Sequence, residues 1–217
     1  MLGIVTGLQS EAKLVAGLPH LVISGGGRAD GTRQKIEALI TRGVRGLVSF
    51  GIAGGLDPEL RVGSLILSAT VIDAAGRRYT GDAAWLQQAR SVTPSAVAGP
   101  VYASDKIVES AAQKRDLFNS NAVIAADMES HHVARAAEQY GLPFIVIRTI
   151  ADTAMEALPA AFGEGVDADG GTQVMPILKA LMTGQLSLPA VIRAGRSAGQ
   201  ALSALRQGRL ILQQLQA

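Results

Sequence analysis

Glu11, Glu129, Arg148 and Asp152 are the residues whose types and positions could do chemistry. Glu11 follows the turn after the first apolar run, and Glu129 comes just past the run "AVIAAD". Arg148 interrupts "PFIVIRTI", and Asp152 ends that same run. The acids have a structural reading of their own. A carboxylate in a first helical turn complements the helix dipole or caps it. That would suit Glu11, Glu129 and the neighbouring Asp127, and would make Asp152 an N-cap. Arg148 has no such reading, because a buried guanidinium is costly unless a carboxylate or a ligand oxygen meets it. Two or three acids and one arginine suffice to break a purine N-glycosidic bond. One acid gives a proton or a strong hydrogen bond to the leaving purine, one grips sugar hydroxyls, and one orients or deprotonates water. Such a set needs one carboxyl with a raised pKa.

The elements that must position these residues alternate along the chain. Residues 2–7, 20–27, 46–51, 63–73, 99–104, 122–127 and 143–152 read as strands. Residues 9–17, 28–43 and 128–140 read as helices, with Ile36, Leu39 and Ile40 on one face of the second. Residues 74–98 read as a long loop or short helix, and 172–215 as helix broken near Gly184 and Pro189. This order predicts an α/β protein with a largely parallel sheet covered on both faces. Sites in such folds lie beyond the C-terminal strand ends. That rule selects Gly25–Arg28, Gly51–Gly55, Asp127–Glu129 and Asp152. The run "SFGIAGGLDPELRVGSLIL" reads as a strand, a glycine turn and a second strand. A phosphate cradle, a nucleotide-binding turn and a sugar pocket all remain open for it.

A length of 217 residues fits one domain, 1–217, with a core over 1–185 and a helical C-terminal appendage over 186–217. Twenty Lys and Arg stand against 18 Asp and Glu, with no basic run interleaved with aromatics, so nucleic acid is not an expected partner. The absence of cysteine excludes a disulfide scaffold and a thiol nucleophile, and suits the cytoplasm. No lysine follows a glycine, so there is no P-loop, and "SGGGRADG" lacks the third glycine of a dinucleotide fingerprint. "GRSAG" (195–199) sits in helical sequence with no histidine after it, and reads as an accident. His131 and His132 are adjacent and would diverge by roughly 100 degrees on a helix, so no metal is expected. The opening "MLGIVTGLQSEAKL" shows no signal peptide, and no apolar run is long enough to span a membrane.

The blocks "GIVTGLQSEA", "SGGG", "SFGIAGGLDPELRVGSLIL", "AADMES" and "FIVIRTIAD" cover about residues 2 to 155. In this order they resemble the nucleoside phosphorylase and methylthioadenosine/adenosylhomocysteine nucleosidase superfamily. The resemblance implies a single-domain α/β fold with a central mixed, mostly parallel sheet flanked by helices, here with a helical C-terminal tail. It implies an enzyme that cleaves an N-glycosidic bond. By position, Glu11 would orient the attacking water, Met128 and Glu129 would face the ribose, and Asp152 would stand at purine N7. Arg148 would support the site. Ile52, Gly54, Ile107 and Phe144 would belong to the nucleoside pocket.

The departures from the family pattern concern the acceptor and the 5′ substituent. Ile52 and Ala151 are apolar where the nucleosidases carry hydroxyls, and no aromatic stands near "SDKIV" to stack on the purine. Ser49 takes the place of a phosphate arginine of the hexameric phosphorylases. Gly26 and Arg28, in a glycine turn before a helix, are the remaining candidates for binding phosphate. No cofactor is implied beyond inorganic phosphate as a possible co-substrate. "SFGIAGGL", "SDKIVESAAQKRDLF" and the tail after "LPAAF" resemble the hopanoid-associated phosphorylase-like proteins. That branch implies removal of adenine from adenosylhopane. The Ala, Pro and Gly content of residues 153–171 reads as a mobile loop that acts as a lid or as the mouth for a bulky substrate, and the superfamily resemblance suggests a homo-oligomer with a dimer favoured. Arg193, Arg196, Arg206 and Arg209 beside an apolar tail suggest contact with a membrane surface; packing of that tail on the sheet is the other reading. A nucleoside- or lipid-binding module without catalysis is the alternative in another class.

Overall fold

The computed structural model describes residues 1–26, 29–158, 169–171, 180–181, 183 and 186–215. Arg28 and most of the expected lid lie outside the described residues. The chain begins with β1 (Gly3–Thr6), α1 (Gln9–Val15), β2 (Leu21–Ser24), α2 (Ala29–Thr41) and β3 (Leu47–Gly55). It continues through β4 (Leu65–Ser68), β5 (Thr70–Asp73), β6 (Arg78–Thr80), α3 (Ala83–Val92), β7 (Val97–Ala98) and β8 (Val101–Ala103). Then come α4 (Ala111–Asn121), β9 (Ala125–Asp127), α5 (Ser130–Tyr140), β10 (Phe144–Asp152) and α6 (Leu188–Gln214).

The sheet is mixed and mostly parallel. The pairs β1–β2, β1–β3, β3–β10, β4–β7, β5–β8 and β8–β9 are parallel. The pairs β4–β10, β3–β9 and β5–β6 are antiparallel. β3 is where the sheet forks. Its first half, from Leu47 to Ser49, pairs with β1, and its end at Gly54 and Gly55 pairs with β9. β10 runs along it from Leu47 to Gly54, with a bulge between Ile150 and Asp152. The ends of β1, β3, β9 and β10 therefore meet in one place.

Strand parity sorts the core into two faces. Leu47, Ala53, Phe144, Val146 and Ile150 pack with Ile36 and Leu39 of α2 and Val133, Ala134 and Ala137 of α5. Val48, Phe50, Ile145 and Ile147 pack on the other face with Val15 of α1, Trp85 of α3 and Leu205, Ile211 and Leu212 of α6. Ser49 and Arg148 share the parity of the first face, which brings them together there.

Several expectations are corrected. Residues 63–73 form two strands: Ser68 Oγ donates to Thr70 O at 2.7 Å and accepts from Thr70 N at 3.0 Å, bending the chain toward a different neighbour strand. Residues 74–98 hold a full helix, α3, whose N-cap Asp82 accepts from Trp85 N at 2.8 Å. Helix α4 has a Ser110–Gln113 capping box but no apolar stripe, and buries Lys114 instead, which is why periodicity misses it. Gly51–Gly55 belong to β3 itself and form no turn.

The helical appendage expected over 186–217 contains α6. Pro189 lies in the first turn of α6, where proline suits a helix start, and the helix then runs unbroken to Gln214. A Cβ on Gly208 would lie 2.9 Å from side-chain atoms of Ile147 and Phe50, so glycine sets how closely α6 meets the sheet. Thr149 Oγ1 donates to Ala201 O at 2.9 Å. Arg209 Nη1 donates to Leu14 O and Ala16 O at 2.7 and 2.9 Å, satisfying carbonyls at the end of α1. That arginine is thus engaged inside the fold. Among the described residues no helix is long and apolar enough to cross a membrane.

Leu205 is fully buried against the second face. Leu205→Ala should lower stability by about 2–5 kcal/mol in urea unfolding. A loss below about 1 kcal/mol would show that α6 is peripheral to the core.

Candidate active site

A cavity of about 700 Å³ opens where the four strand ends meet, and α6 forms its far wall through residues such as Val191 and Ala194. Glu11 lies at its base, buried at the start of α1. Its Oε2 accepts from Gly7 N and Leu8 N, both at 2.8 Å, and its Oε1 accepts from Ile52 N at 2.8 Å. The acid caps its own helix and also reaches across to β3. Burial pushes its carboxyl above the usual range, and Arg148 and the three amides act against that push.

Arg148 stands behind this carboxylate and is wholly buried. Its Nη2 donates to Ser49 Oγ at 2.6 Å and to Glu129 Oε2 at 3.2 Å, and its Nη1 donates to Ile52 O at 3.3 Å. Its Nε lies 3.0 Å from Asp127 Oδ2, close enough for ion pairing but poorly aligned for a hydrogen bond. Asp127 in turn starts α5: its Oδ1 accepts from Glu129 N at 3.0 Å and Ser130 N at 2.8 Å. One cation thus faces three carboxylates, Glu11, Asp127 and Glu129. Burial, and then the two like charges, push Glu129 up to about 7, while Arg148 draws it down.

Glycines make room for this cluster. A Cβ on Gly51 would lie 2.4 Å from Arg148 Nη1 and 2.6 Å from Glu11 Oε1. A Cβ on Gly7 would lie 2.6 Å from Glu129 Oε1. Both distances are closer than real Cβ atoms come, so side chains are excluded at these points.

Asp152 forms a separate group at the end of β10. Its Oδ2 is paired with the buried Lys114 ammonium, and Gly54 lies opposite its carboxylate. Burial pushes the Asp152 carboxyl up and Lys114 pulls it down.

Residues 4–180 match the phosphorylase superfamily. The chain belongs to that superfamily. A 5′-methylthioadenosine/S-adenosylhomocysteine nucleosidase of Shewanella halifaxensis is 25% identical over 157 residues, 62% of this chain and 68% of the relative. One from a Marinomonas species is 28% identical over 140 residues, 54% of this chain and 61% of the relative. The chain therefore spans about three fifths to two thirds of these relatives. The S-adenosylhomocysteine nucleosidase of Streptococcus pyogenes, solved with 5-methylthiotubericidin, superposes with a TM-score of 0.76 at 16% identity, covering 100% of this chain and 97% of that one. The futalosine hydrolase of Helicobacter pylori gives 0.71 at 15% identity, covering 99% and 97%. These likenesses show the phosphorylase-superfamily fold.

On this superfamily scaffold Glu11, Ile52, Gly54, Ile107, Met128, Glu129 and Asp152 all line the cavity. Arg148 does not line the cavity; it stands behind it, against Glu11, Asp127 and Glu129. Two expectations are corrected. Phe144 packs in the core at the far end of β10, eight residues from Asp152. At about 3.3 Å per residue that is roughly 26 Å away. Gly26 spends its N–H on Gly7 O at 3.0 Å and does not line the cavity, so its amide is not open to an anion.

In the sequence Asp127 reads as a helix starter and Ser49 as the place of an absent phosphate arginine, while Lys114 and Ser130 stand out in neither way. Asp127 does start α5, and it also faces Arg148. Lys114 carries no signal in the sequence, since a lysine on a polar helix reads as solvated.

The two adjacent histidines do not diverge. Their Nε2 atoms meet Asp105 Oδ1 at 3.1 Å for His131 and 2.9 Å for His132. Their ligand atoms and that of Asp105 lie within 4.8 Å of one another. His131 Nδ1 is buried without a partner. A proton there would be unsatisfied, so it sits on Nε2 and is donated to Asp105. A metal on Nε2 would force that proton onto the buried Nδ1. The geometry suits a hydrogen-bonded clasp that ties the cavity wall at Lys106–Val108 to α5.

Glu129 also sets a pH dependence of stability. The unfolded carboxyl releases its proton near 4.5, whereas the folded one holds it to about 7. Between these values the folded state binds more protons, so stability falls as pH rises and levels off above about 7. Glu129→Gln should flatten this slope in urea midpoints taken across the window, with a remainder from Glu11. An unchanged slope in the variant would place the buried proton elsewhere.

Proposed function

We propose that this protein hydrolyses the N-ribosidic bond of an adenine nucleoside with a large apolar 5′ substituent. The observation that carries the reading is the Glu11 carboxylate, held on the amides of Gly7, Leu8 and Ile52 at the cavity base. Amides at a helix start are the natural seat for an anion. Here the protein's own carboxylate takes that seat and repels a phosphate dianion. A carboxylate beside the sugar can instead orient a water and take its proton.

The remaining roles are those the family resemblance implies, and the position of these residues on the cavity supports them. Asp152 meets the purine and supplies a proton or hydrogen bond to its N7 as the bond breaks. Glu129 accepts from the ribose hydroxyls and stabilises the developing sugar cation. Arg148 positions Glu11 and Glu129 and limits their mutual repulsion. With no aromatic among the described lining residues, Ile107 and Val108 offer aliphatic walls for the purine.

The 5′ side favours hydrocarbon. Ile52, Leu158 and Val191 line the cavity, and its volume lies near the middle of the roughly 300–1,000 Å³ usual for small-molecule sites. Met155, on the lining, is 79% exposed, and Leu188, two residues before Ala190 on the lining, is 61% exposed. Adenosylhopane, named by the resemblance of the tail and of "SFGIAGGL", is the substrate this reading favours.

The test is release of the free base, adenine from adenosylhopane, methylthioadenosine and adenosylhomocysteine and hypoxanthine from inosine, with and without phosphate. Sugar products that keep the 5′ group and carry a free anomeric hydroxyl, and a rate unchanged by phosphate, are expected, with adenosylhopane the best substrate. Asp152→Asn and Glu129→Gln should each lower kcat/KM by about 100-fold or more. A sugar 1-phosphate product would overturn hydrolysis. Stoichiometric binding with no release would favour a binding module.

A further inference from the structure

Lys114 is a cation that the proposed reaction has not used. It projects from α4 with 1% exposure, yet it lines the cavity. Its Nζ donates to Asp152 Oδ2, to Thr153 O at 2.8 Å and to Glu156 O at 2.9 Å. All three ammonium protons are thereby placed, one of them on the carboxylate that would meet the purine. The two backbone carbonyls fix the nitrogen, so the pair keeps its contact whether the proton lies on nitrogen or on oxygen.

A leaving purine needs a proton, but a carboxylate paired with an ammonium has none to give. In a water-filled cavity the ion pair is favoured. A purine that covers Asp152 removes water from the pair, and charge separation then becomes costly. Moving one proton across the shared hydrogen bond converts the ion pair to a neutral amine and a neutral carboxylic acid.

We propose that Lys114 is the proton reservoir for Asp152, filling its carboxyl when a purine closes the cavity. This rests on the nucleosidase reading above. First a Lys114 N–H bond breaks and an Asp152 O–H bond forms, leaving a neutral amine. Next the C–N bond to the purine breaks, its electron pair goes to the base, and N7 takes the Asp152 proton. The carboxylate is restored. After the purine leaves, water re-enters and the amine takes a proton from solvent, which balances the one that the attacking water gives up through Glu11. Lys114 is a positioning residue in this scheme, since it acts through Asp152.

The charged groups around the pair are consistent with this cycle. Glu156 accepts from Thr153 N at 2.8 Å and raises the Asp152 carboxyl. Glu11, Asp127 and Glu129 line the same cavity with Lys106 and Arg193, and the last two are exposed. None of these five is among the groups that shift Asp152.

Two variants and a spectroscopic readout test the inference. Lys114→Met leaves Asp152 to hold its own proton. Its kcat/KM should fall at least about 10-fold more between pH of about 6 and about 9 than that of the unaltered protein. Lys114→Arg keeps the charge, but a guanidinium does not give up its proton. It should be at least about 100-fold slower across this range. A loss for Lys114→Met that is the same at every pH, or a near-normal Lys114→Arg, would overturn the proposal.

Independently, the nitrogen-15 NMR signal of Lys114 Nζ, assigned by its absence in Lys114→Arg, should move from ammonium toward amine when adenine saturates the protein. A signal that stays ammonium with adenine bound overturns the reservoir, even if either variant misfolds. If the protein binds adenine but releases none from any nucleoside, the nucleosidase reading fails while this signal still decides the state of the pair.

Discussion

Arg148 sits wholly buried on the central strand with Glu11, Asp127 and Glu129 closed around it. Removing one partner of such a buried pair typically costs about 3–5 kcal/mol, because the charge left behind has no water to turn to. The surrounding structure follows from that constraint. Ser49 and Ser130 fill out the polar shell, and Gly7 and Gly51 leave the volume the carboxylates need. One cation against three acids cannot keep all of them ionised in a dry site. The proton that Glu129 holds to about 7 is a consequence of that imbalance.

The cavity carries two acid environments separated by the end of β3. Glu11 and Glu129 share the arginine and one another's repulsion, while Asp152 has its own cation in Lys114. Carboxyls in different surroundings take different protonation states at one pH, which lets one fold supply both a base and an acid. The arrangement depends on β3 and β10 being parallel neighbours, so that Arg148 lies near the glycine end of β3 and Asp152 lies opposite Gly54.

Helix α6 joins core and site. Its C-terminal half packs Leu205, Ile211 and Leu212 on the sheet, and its N-terminal half faces the cavity with small and apolar residues. A single element thus supplies stability and shapes the region where a 5′ substituent would lie. The exposed Leu188 and Ile192 belong to that same half.

The sequence by itself determined the α/β class and picked out Glu11, Glu129, Arg148 and Asp152, which the fold brings to or beside one cavity. Near-continuous apolar runs and a charge inside one of them are local signals, readable without a fold. Met128, Ile52, Gly54 and Ile107 came from family resemblance, and the cavity includes them. Only the tertiary structure decided the rest. It moved Gly51–Gly55 from a turn into a strand, because their purpose is to admit side chains from β10 and α1, far away in sequence. It drew Asp127, Ser49 and Ser130 onto Arg148 and removed Phe144 to the distant end of a nine-residue strand. It buried Lys114 from a helix with no apolar stripe and brought His131 and His132 onto one aspartate. Each of these depends on which strands are neighbours and where a side chain finds its partner, and the residue's own sequence context holds no record of that.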